Sequence, residues 1–190
     1  MNNGIQYIER LNLKMNNARY ILALDPSGAF KEGNGTTGWC LLDQETNKIV
    51  KFGVIKASDY KYQFHYWDAH VTLIDGLAGY HPDIVIEDYL LYGERAQNQI
   101  NSRLETPQLI GIIKYECFKR GIYVYIQTAM QVKTRWSDDL LVKKGYLQKR
   151  GAKYYMNNVV LVSHIRDSVR HAVHYMTYNS KYRRGSNYGR

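Results

Sequence analysis

Two short, uninterrupted apolar runs are the features of this chain that most constrain its fold. Residues 21–24 and 84–86 are apolar throughout, and the runs end in the carboxylates Asp25 and Glu87. Apolar runs of this length, bounded by turn residues such as the Pro-Ser-Gly that follows Asp25, are typical of buried strands. The sequence therefore predicts an α/β fold in which both runs are strands of one sheet.

The surrounding segments predict the order β-β-β-α-β-α-β-α-α. Short connections between the first three strands favour an antiparallel meander. Thr106-Pro107 has the pattern of an N-cap followed by proline in the first helical turn. We expect strands at 19–25, 37–43, 49–55, 83–87 and 122–126, helices within 60–80, 107–120, 129–145 and from Ser163 onward, and an irregular basic segment at 146–160.

The chain has the length of one ordinary domain. We expect its 190 residues to form a single domain over 1–178, followed by a basic and flexible tail over 179–190. No apolar segment approaches the roughly 18 residues of a membrane-spanning helix, and no signal peptide is visible. Cys40 and Cys117 lack metal-site spacing. We therefore expect free thiols in a cytoplasmic protein that does not associate with membranes.

The positive charge of the chain is concentrated in its last third. The net charge is +9, yet residues 1–130 carry 13 Lys and Arg against 14 acidic residues. Residues 131–190 carry 13 Lys and Arg against three acidic residues, a balance of +10. A basic block of this size favours a polyanionic partner such as DNA, because each cation placed on a phosphate releases counterions. A basic face that only aids solubility is the alternative.

Four side chains with metal-binding chemistry are candidates for one site. Asp25 and Glu87 lie side by side if their strands are parallel neighbours, and His164 and Asp167 share a face of the last helix. Clustered carboxylates repel one another unless a cation neutralises them, and Mg²⁺ prefers such oxygen ligands. Two such ions can activate water for phosphodiester cleavage. Beside a basic surface, this set favours a metal-dependent nuclease, although each acid taken alone is as easily a helix cap or an ion-pair partner.

The order of these motifs resembles that of RuvC-type Holliday junction resolvases. Ile21-Leu-Ala-Leu-Asp25-Pro-Ser-Gly followed by Thr37-Gly-Trp39 is similar to the opening motif of that family, and Ile84-Val-Ile-Glu87 to its second acidic strand. Thr128-Ala-Met-Gln-Val-Lys133 is similar to a Pro-x-x-Val-Lys segment that here lacks the proline. The closing helix from His164-Ile-Arg-Asp167 to His174-Tyr175 resembles that of phage-encoded members.

The resemblance implies an RNase H-like fold, with a five-stranded mixed sheet flanked by helices, and a metal-dependent endonuclease. The implied enzyme is a homodimer that nicks Holliday junctions and other branched DNA, leaving 5′-phosphate and 3′-hydroxyl ends. Its implied cofactor is Mg²⁺, two ions per site, with Mn²⁺ as a substitute. The implied catalytic residues and metal ligands are Asp25, Glu87, His164 and Asp167. A phage-encoded member would act in the host cytoplasm.

The resemblance also implies a DNA surface and a dimer helix. Lys133 would contact DNA near the cut, the helix at 107–120 would lie near the dimer interface, and Tyr89 or Tyr92 would be an aromatic wedge. Together with the basic block, the expected DNA-binding residues are Lys133, Arg135, Lys143, Lys144, Lys149, Arg150, Lys153, Tyr89 and Tyr92. His164 departs from the aspartate of many bacterial members and adds a group that titrates near neutral pH. We expect His171 and His174 to be core residues.

Two other function classes remain open from the sequence. A non-catalytic protein that binds branched DNA would share the fold and the basic face, but the complete acidic set argues against it. A nucleotide-binding hydrolase related to the actin-like ATPases would share the first-strand aspartate. Such proteins enclose the nucleotide between two domains, and 190 residues supply only one.

Overall fold

The computed structural model describes residues 18–90, 104–180 and 182. Eight strands and five α-helices form this part of the chain. The strands are β1 (Tyr20–Asp25), β2 (Thr36–Asp43), β3 (Lys48–Lys56), β4 (Asp83–Glu87), β5 (Val124–Gln127), β6 (Gln148–Arg150), β7 (Lys153–Met156) and β8 (Val159–Val160). The helices are α1 (Gln63–Leu77), α2 (Glu105–Lys119), α3 (Ala129–Lys133), α4 (Asp138–Lys143) and α5 (Ser163–Tyr178).

Five strands form one mixed sheet in the order β3-β2-β1-β4-β5. β1, β2 and β3 pair antiparallel, whereas β1, β4 and β5 run parallel. The antiparallel meander and the mixed sheet are therefore confirmed. The apolar residues 21–24 of β1 and 84–86 of β4 are 0% exposed because both strands lie inside the sheet and carry helices on both faces.

Alternate residues of β1 point into two separate cores. Ile21 and Ala23 pack with α5 and with the short helices α3 and α4, while Leu22 and Leu24 pack with α1 and α2. This alternation follows from the two-residue repeat of a strand. The fold is thus a helix–sheet–helix sandwich in which α5 covers one face at the carboxyl ends of β1 and β4.

The helices differ from prediction at two places. α2 begins at Glu105, so Thr106 and Pro107 lie within its first turn, and the side chain of Thr106 accepts a hydrogen bond from the Gly28 N–H instead of capping the helix. The single helix expected at 129–145 is two helices. Ser137 interrupts it because its side chain accepts the N–H of Leu140 and caps α4.

The prediction that residues 146–160 are irregular is wrong. This segment forms a second, three-stranded antiparallel sheet in the order β6-β7-β8. Its strands are only two to four residues long, and all of β6 and β8 is exposed, so no apolar alternation marks them in the sequence. The turns are their visible signal, since Gly151, Asn157 and Asn158 adopt the positive φ angles that two-residue hairpins require.

The expectations of free thiols and of no membrane-spanning helix both concern residues that the structure describes. Cys40 and Cys117 are free and buried. Among the described residues, no helix combines the length and the apolar character needed to cross a membrane. In the predicted tail, Ser180 is buried and donates its N–H to the Tyr175 carbonyl, so the chain still contacts α5 two residues after the helix ends.

Candidate active site

The carboxyl ends of β1 and β4 bring Asp25 and Glu87 to the same edge of the sheet. The two strands are parallel neighbours, and Leu24 is paired with Ile86, so the acids that follow occupy equivalent positions. Their side chains are only 11% and 15% exposed. Each carboxylate is thus held in a poorly hydrated place beside another negative charge, an arrangement that costs free energy unless a positive group compensates it.

Helix α5 crosses this edge at Gly38, the β2 residue that pairs with Asp25. A Cβ atom at Gly38 would lie 2.1 Å from the carbonyl carbon of His164, so only glycine lets the helix backbone rest on the strand. This contact places the first turn of α5 over the acids. The His164 Nδ1 lies 2.7 Å from an oxygen of Asp25.

Asp25 and His164 share a proton-binding position. Burial raises the pKa of Asp25, and the charges of Glu87 and Asp167 raise it further, which outweighs the lowering by the His164 hydrogen bond. The hydrogen bond to Asp25 raises the pKa of His164 against the opposing effect of burial. Both shifts favour the protonated pair, so Asp25 and His164 together bind a proton more tightly than either group would alone.

Glu87 is compensated by a buried histidine. The His171 Nε2 lies 2.8 Å from a Glu87 oxygen, and its Nδ1 lies 2.9 Å from the Gln127 side-chain oxygen. His171 is 0% exposed. Burial, the largest single effect, raises the pKa of Glu87, but the His171 hydrogen bond and the charges of His171, Lys133 and His164 together outweigh it, so the net pKa is lowered. His171 therefore holds Glu87 in its ionised form and fixes its orientation.

Asp167 is held by two cations on the other side of the site. Lys133 Nζ lies 3.2 Å from one Asp167 oxygen, and Arg170 pairs with the other. Arg170 also binds Asp138 at 2.6 Å and the Trp136 carbonyl at 2.9 Å, which ties α5 to the start of α4. Burial lowers the pKa of Lys133, but the charges of Asp167, Glu87 and Asp25 outweigh burial and the net pKa is raised.

A buried hydrogen-bond network supports the loop that follows Asp25. Thr37 Oγ1 accepts the N–H of Ser27 at 3.2 Å and contacts the His70 Nε2 at 2.8 Å. The Tyr66 hydroxyl donates to the Ser27 carbonyl at 2.5 Å. Thr37 and His70 are 0% exposed, so the network lies wholly within the α1 side of the core. It fixes the backbone directly after Asp25.

The donor set suits a hard divalent cation. Three carboxylates and an imidazole supply the oxygen and nitrogen ligands that Mg²⁺ and Mn²⁺ accept. The pKa of Asp25 is raised by burial and, to a smaller extent, by the charges of Glu87 and Asp167, and a bound cation would offset both effects. Within the described residues, no three such side chains converge at ligand spacing, because each carboxylate is turned onto a histidine, lysine or arginine. Cation binding to such a set would release protons and exchange these ion pairs.

The other predicted DNA-binding cations lie on the surface of the protein. Arg135, Lys143, Lys144, Lys149, Arg150 and Lys153 are all exposed. Arg135 stacks on the Tyr178 ring with its guanidinium carbon 4.6 Å from the centroid. Tyr89, two residues after Glu87, is half-buried and packs against the α1–α2 core, while Tyr92 lies outside the described residues.

The sequence missed the roles of three residues that support the acids directly or through a neighbour. His171 was expected in the core, and its burial confirms that, but it also bonds Glu87. Gln127 and Arg170 were not singled out. Gln127 ends β5 directly opposite Glu87 in the ladder, the same strand-end position that identified Asp25 and Glu87. Arg170 is one turn after Asp167 on α5, a spacing that favours an ion pair.

Two solved structures of RuvC resemble the whole domain. Thermus thermophilus RuvC in complex with a Holliday junction substrate superposes with a TM-score of 0.60 and 16% identity, over 88% of this chain and 96% of that chain. A second structure of T. thermophilus RuvC gives a TM-score of 0.56 and 17% identity, over 87% and 96%. No protein-family model matches the sequence, and the comparison with curated proteins finds no match. The domain therefore has the RNase H-like fold of RuvC, as its sheet order and its flanking helices indicate.

Proposed function

We propose that this protein is a metal-dependent endonuclease that nicks Holliday junctions and other branched DNA. The observation that carries the proposal is the juxtaposition of Asp25 and Glu87 at one sheet edge, with His164 on Asp25 and the Asp167 face of α5 above them. The fold is that of RuvC, one structure of which contains a Holliday junction substrate. The basic last third of the chain supports a nucleic-acid substrate.

Asp25, Glu87, His164 and Asp167 would hold Mg²⁺ or Mn²⁺. When bound, two such ions would activate water and stabilise the leaving oxygen of the phosphodiester. The chain's own groups prepare the site for this. His171 keeps Glu87 ionised, and Gly38 admits the α5 backbone so that His164 and Asp167 reach the sheet edge.

Lys133 is the proposed contact to the phosphate near the cut. Its side chain is 46% exposed, and its ammonium lies 3.2 Å from Asp167, so it is a solvent-accessible cation next to the acids. A phosphate approaching the acids would meet a cation there. Arg135, Lys143 and Lys144 are further exposed cations in the segment after Lys133, and we propose that they also contact the backbone. Tyr89 is the proposed wedge.

The proposed homodimer would use the exposed side of α1 and α2. A groove between these helices is lined by the apolar residues Phe64, Trp67, Val71 and Ile112 and by the polar residues Asp68, Thr72, Asp75, Glu116 and Arg120. Phe64 is 73% exposed, and Tyr115 and Phe118 of α2 are 59% and 45% exposed. Exposed apolar side chains grouped in this way are typical of protein interfaces. A Phe64→Glu variant should shift the species seen in sedimentation to monomer, while Val50→Glu on β3 should not.

The decisive experiment is cleavage of a labelled four-way junction beside a linear duplex, with Mg²⁺, Mn²⁺ or EDTA. Paired symmetric nicks that EDTA abolishes would support the proposal. Asp25→Asn and Glu87→Gln should each lower nicking by more than about a hundredfold and leave junction affinity unchanged, because phosphate contacts supply most of the affinity. Full nicking by both variants would overturn the metal assignment. Tight junction binding without any nicking would favour the non-catalytic branch-binding protein.

A further inference from the structure

The second sheet has two chemically different faces. Residues paired across an antiparallel ladder point to the same side, so the pairs Arg150–Lys153, Gln148–Tyr155 and Tyr155–Val160 define one face. The pairs Lys149–Tyr154 and Met156–Val159 define the other. We call the first the outer face and the second the inner face.

The inner face packs against the domain. Met156 is 6% exposed and belongs to the α5 core, and Tyr154 packs against the same core. Arg166 of α5 stacks on the Tyr154 ring at 4.7 Å, and Lys149 binds Asp139 of α4 at 3.0 Å. The inner face therefore anchors the sheet, and its lysine is engaged in that anchoring.

The outer face is exposed and basic. Arg150 and Lys153 are both exposed, and neither forms an ion pair within the described residues. The guanidinium of Arg150 lies 4.9 Å from the centre of the Tyr155 ring and is fixed by the Gln148 and Asn158 side chains at 3.0 and 2.8 Å. Two uncompensated cations beside a ring and two amides form a surface suited to a phosphate backbone.

This face is tied closely to the acidic site. β8 leads through two residues into α5, and Val160 of the outer face precedes His164 by four residues. A chain of that length spans at most about 14 Å, or roughly four base pairs along a DNA strand. A duplex whose phosphate lies at Asp25 and Glu87 would thus carry its flanking phosphates past the second sheet.

We propose that the outer face of the β6–β8 sheet, through Arg150 and Lys153, binds the phosphate backbone of the DNA arm that flanks the nicked position. This inference rests on the proposed function and adds a division within the basic block: Arg150 and Lys153 contact DNA, whereas Lys149 fastens the sheet to α4. The arm is held by charge and position, so the face binds DNA without selecting its sequence.

The test measures binding of labelled junction and linear duplex by fluorescence anisotropy in EDTA between 50 and 300 mM KCl, a range over which the Debye length falls from about 14 Å to about 6 Å. For Arg150→Ala/Lys153→Ala, the slope of log K against log [KCl] should become shallower by about 2, and affinity at 0.1 M should fall roughly tenfold or more. Arg150→Ala and Lys153→Ala alone should each make the slope shallower by about 1, whereas Lys149→Ala should change it by less than half of that. The charge-preserving variant Arg150→Lys/Lys153→Arg should keep the wild-type slope. Melting temperatures verify that each variant is folded.

The outcomes separate this inference from the proposed function. A wild-type protein that binds DNA, with a double variant of unchanged slope, overturns the arm contact and leaves the nuclease intact. An equal loss in Lys149→Ala also overturns it, because the two faces would then be equivalent. If the wild-type protein binds neither the junction nor the linear duplex, the proposed function is overturned, and the arm contact with it.

Discussion

The backbone of His164 lies directly on Gly38, and Gly38 is the ladder partner of Asp25. Two contacts thus set the height of α5 over the site: the glycine below its backbone and the His164–Asp25 hydrogen bond of 2.7 Å beside it. A Cβ at Gly38 would meet backbone atoms of α5, which a side-chain rotation cannot move away.

Gly38→Ala should therefore displace α5 and lower both stability and activity. We expect a loss of about 3 kcal/mol in the free energy of unfolding, since overpacking against backbone is at the upper end of such effects. Nicking of a junction should fall further than the folded fraction does. Gly76→Ala is the matched control, because within the described residues a Cβ there would meet no atom within 4 Å apart from its chain neighbours and its own helix backbone, and alanine favours the helix. A fully active Gly38→Ala variant would contradict this account of the helix position.

His171→Phe tests the support of Glu87. The variant keeps a buried ring but removes the largest of the effects that lower the pKa of Glu87 against burial, so this pKa should rise. We expect Mn²⁺ affinity at pH 7, measured by calorimetry, to fall by roughly 10- to 100-fold. The loss should be larger at pH 6 than at pH 8, because the raised pKa keeps more Glu87 protonated.

His174→Phe is the control for this experiment. His174 is also buried on α5, but its Nδ1 has no hydrogen-bond partner in the part of the chain that the structure describes. Its Mn²⁺ affinity should match the wild type. Equal losses in the two variants would show that the effect is general to α5 packing and not specific to Glu87.

Arg170→Met tests the cation that Asp167 and Asp138 share. Its side chain is 13% exposed, and removing it leaves two shielded carboxylates with weaker compensation. We expect a loss of about 3 kcal/mol in chemical denaturation. Lys149→Met, which breaks an exposed pair with Asp139, should cost much less, because solvent screens an exposed ion pair. Similar values for the two variants would mean that the Arg170 pairs are as weak as surface ones.

Asp83→Asn tests a buried carboxyl far from the acids. Burial raises the pKa of Asp83 from 3.8 to about 6, despite the hydrogen bond from the Tyr175 hydroxyl. The folded protein therefore binds this proton more tightly than the unfolded chain, and the stability that it contributes is full below pH 3.8 and lost as the pH rises through about 6.

Asparagine still accepts the Tyr175 hydrogen bond and never ionises. We expect Asp83→Asn to be more stable than the wild type at pH 7.5, by up to about 3 kcal/mol, with the gain gone near pH 4. Thermal denaturation across this range measures the difference. Asp75→Asn should show the opposite sign, since the hydrogen bond from Arg120 lowers the pKa of Asp75. A gain at Asp83 that does not depend on pH would contradict the titration argument.

The central strands and the acidic edge were predictable because local pattern and tertiary environment agree there. The apolar residues of β1 and β4 are uniform because both faces of the sheet are covered, and the positions of Asp25 and Glu87 follow from parallel pairing. Gln127 and His171 required more than pattern. The hydrogen bonds of His171 with Gln127 and Glu87 depend on β5 lying beside β4 in one particular register, which no short segment of sequence encodes.

Elsewhere, tertiary contacts override local signals. Thr106-Pro107 has the sequence of a helix start, but the Thr106 side chain accepts the N–H of Gly28 instead of capping the helix. The Glu105 side chain accepts the N–H of Phe30 at 2.6 Å. Both side chains thus accept hydrogen bonds from a loop that is more than 70 residues earlier in the sequence. The second sheet escaped prediction for a different reason, because strands so short and so exposed show no hydrophobic period.

The same contacts connect the first turn of α2 with the loop that follows Asp25, while the rest of the helix carries exposed apolar side chains. Its first turn grips the loop that leaves Asp25, with Gly28 packed so closely that a Cβ would lie 2.1 Å from the Glu105 backbone. Two to three turns further along, the same helix presents Tyr115 and Phe118 to solvent. Because α2 is one continuous helix, a movement of one end also moves the other. A partner that bound Tyr115 and Phe118 and shifted the helix would therefore also shift the backbone next to Asp25.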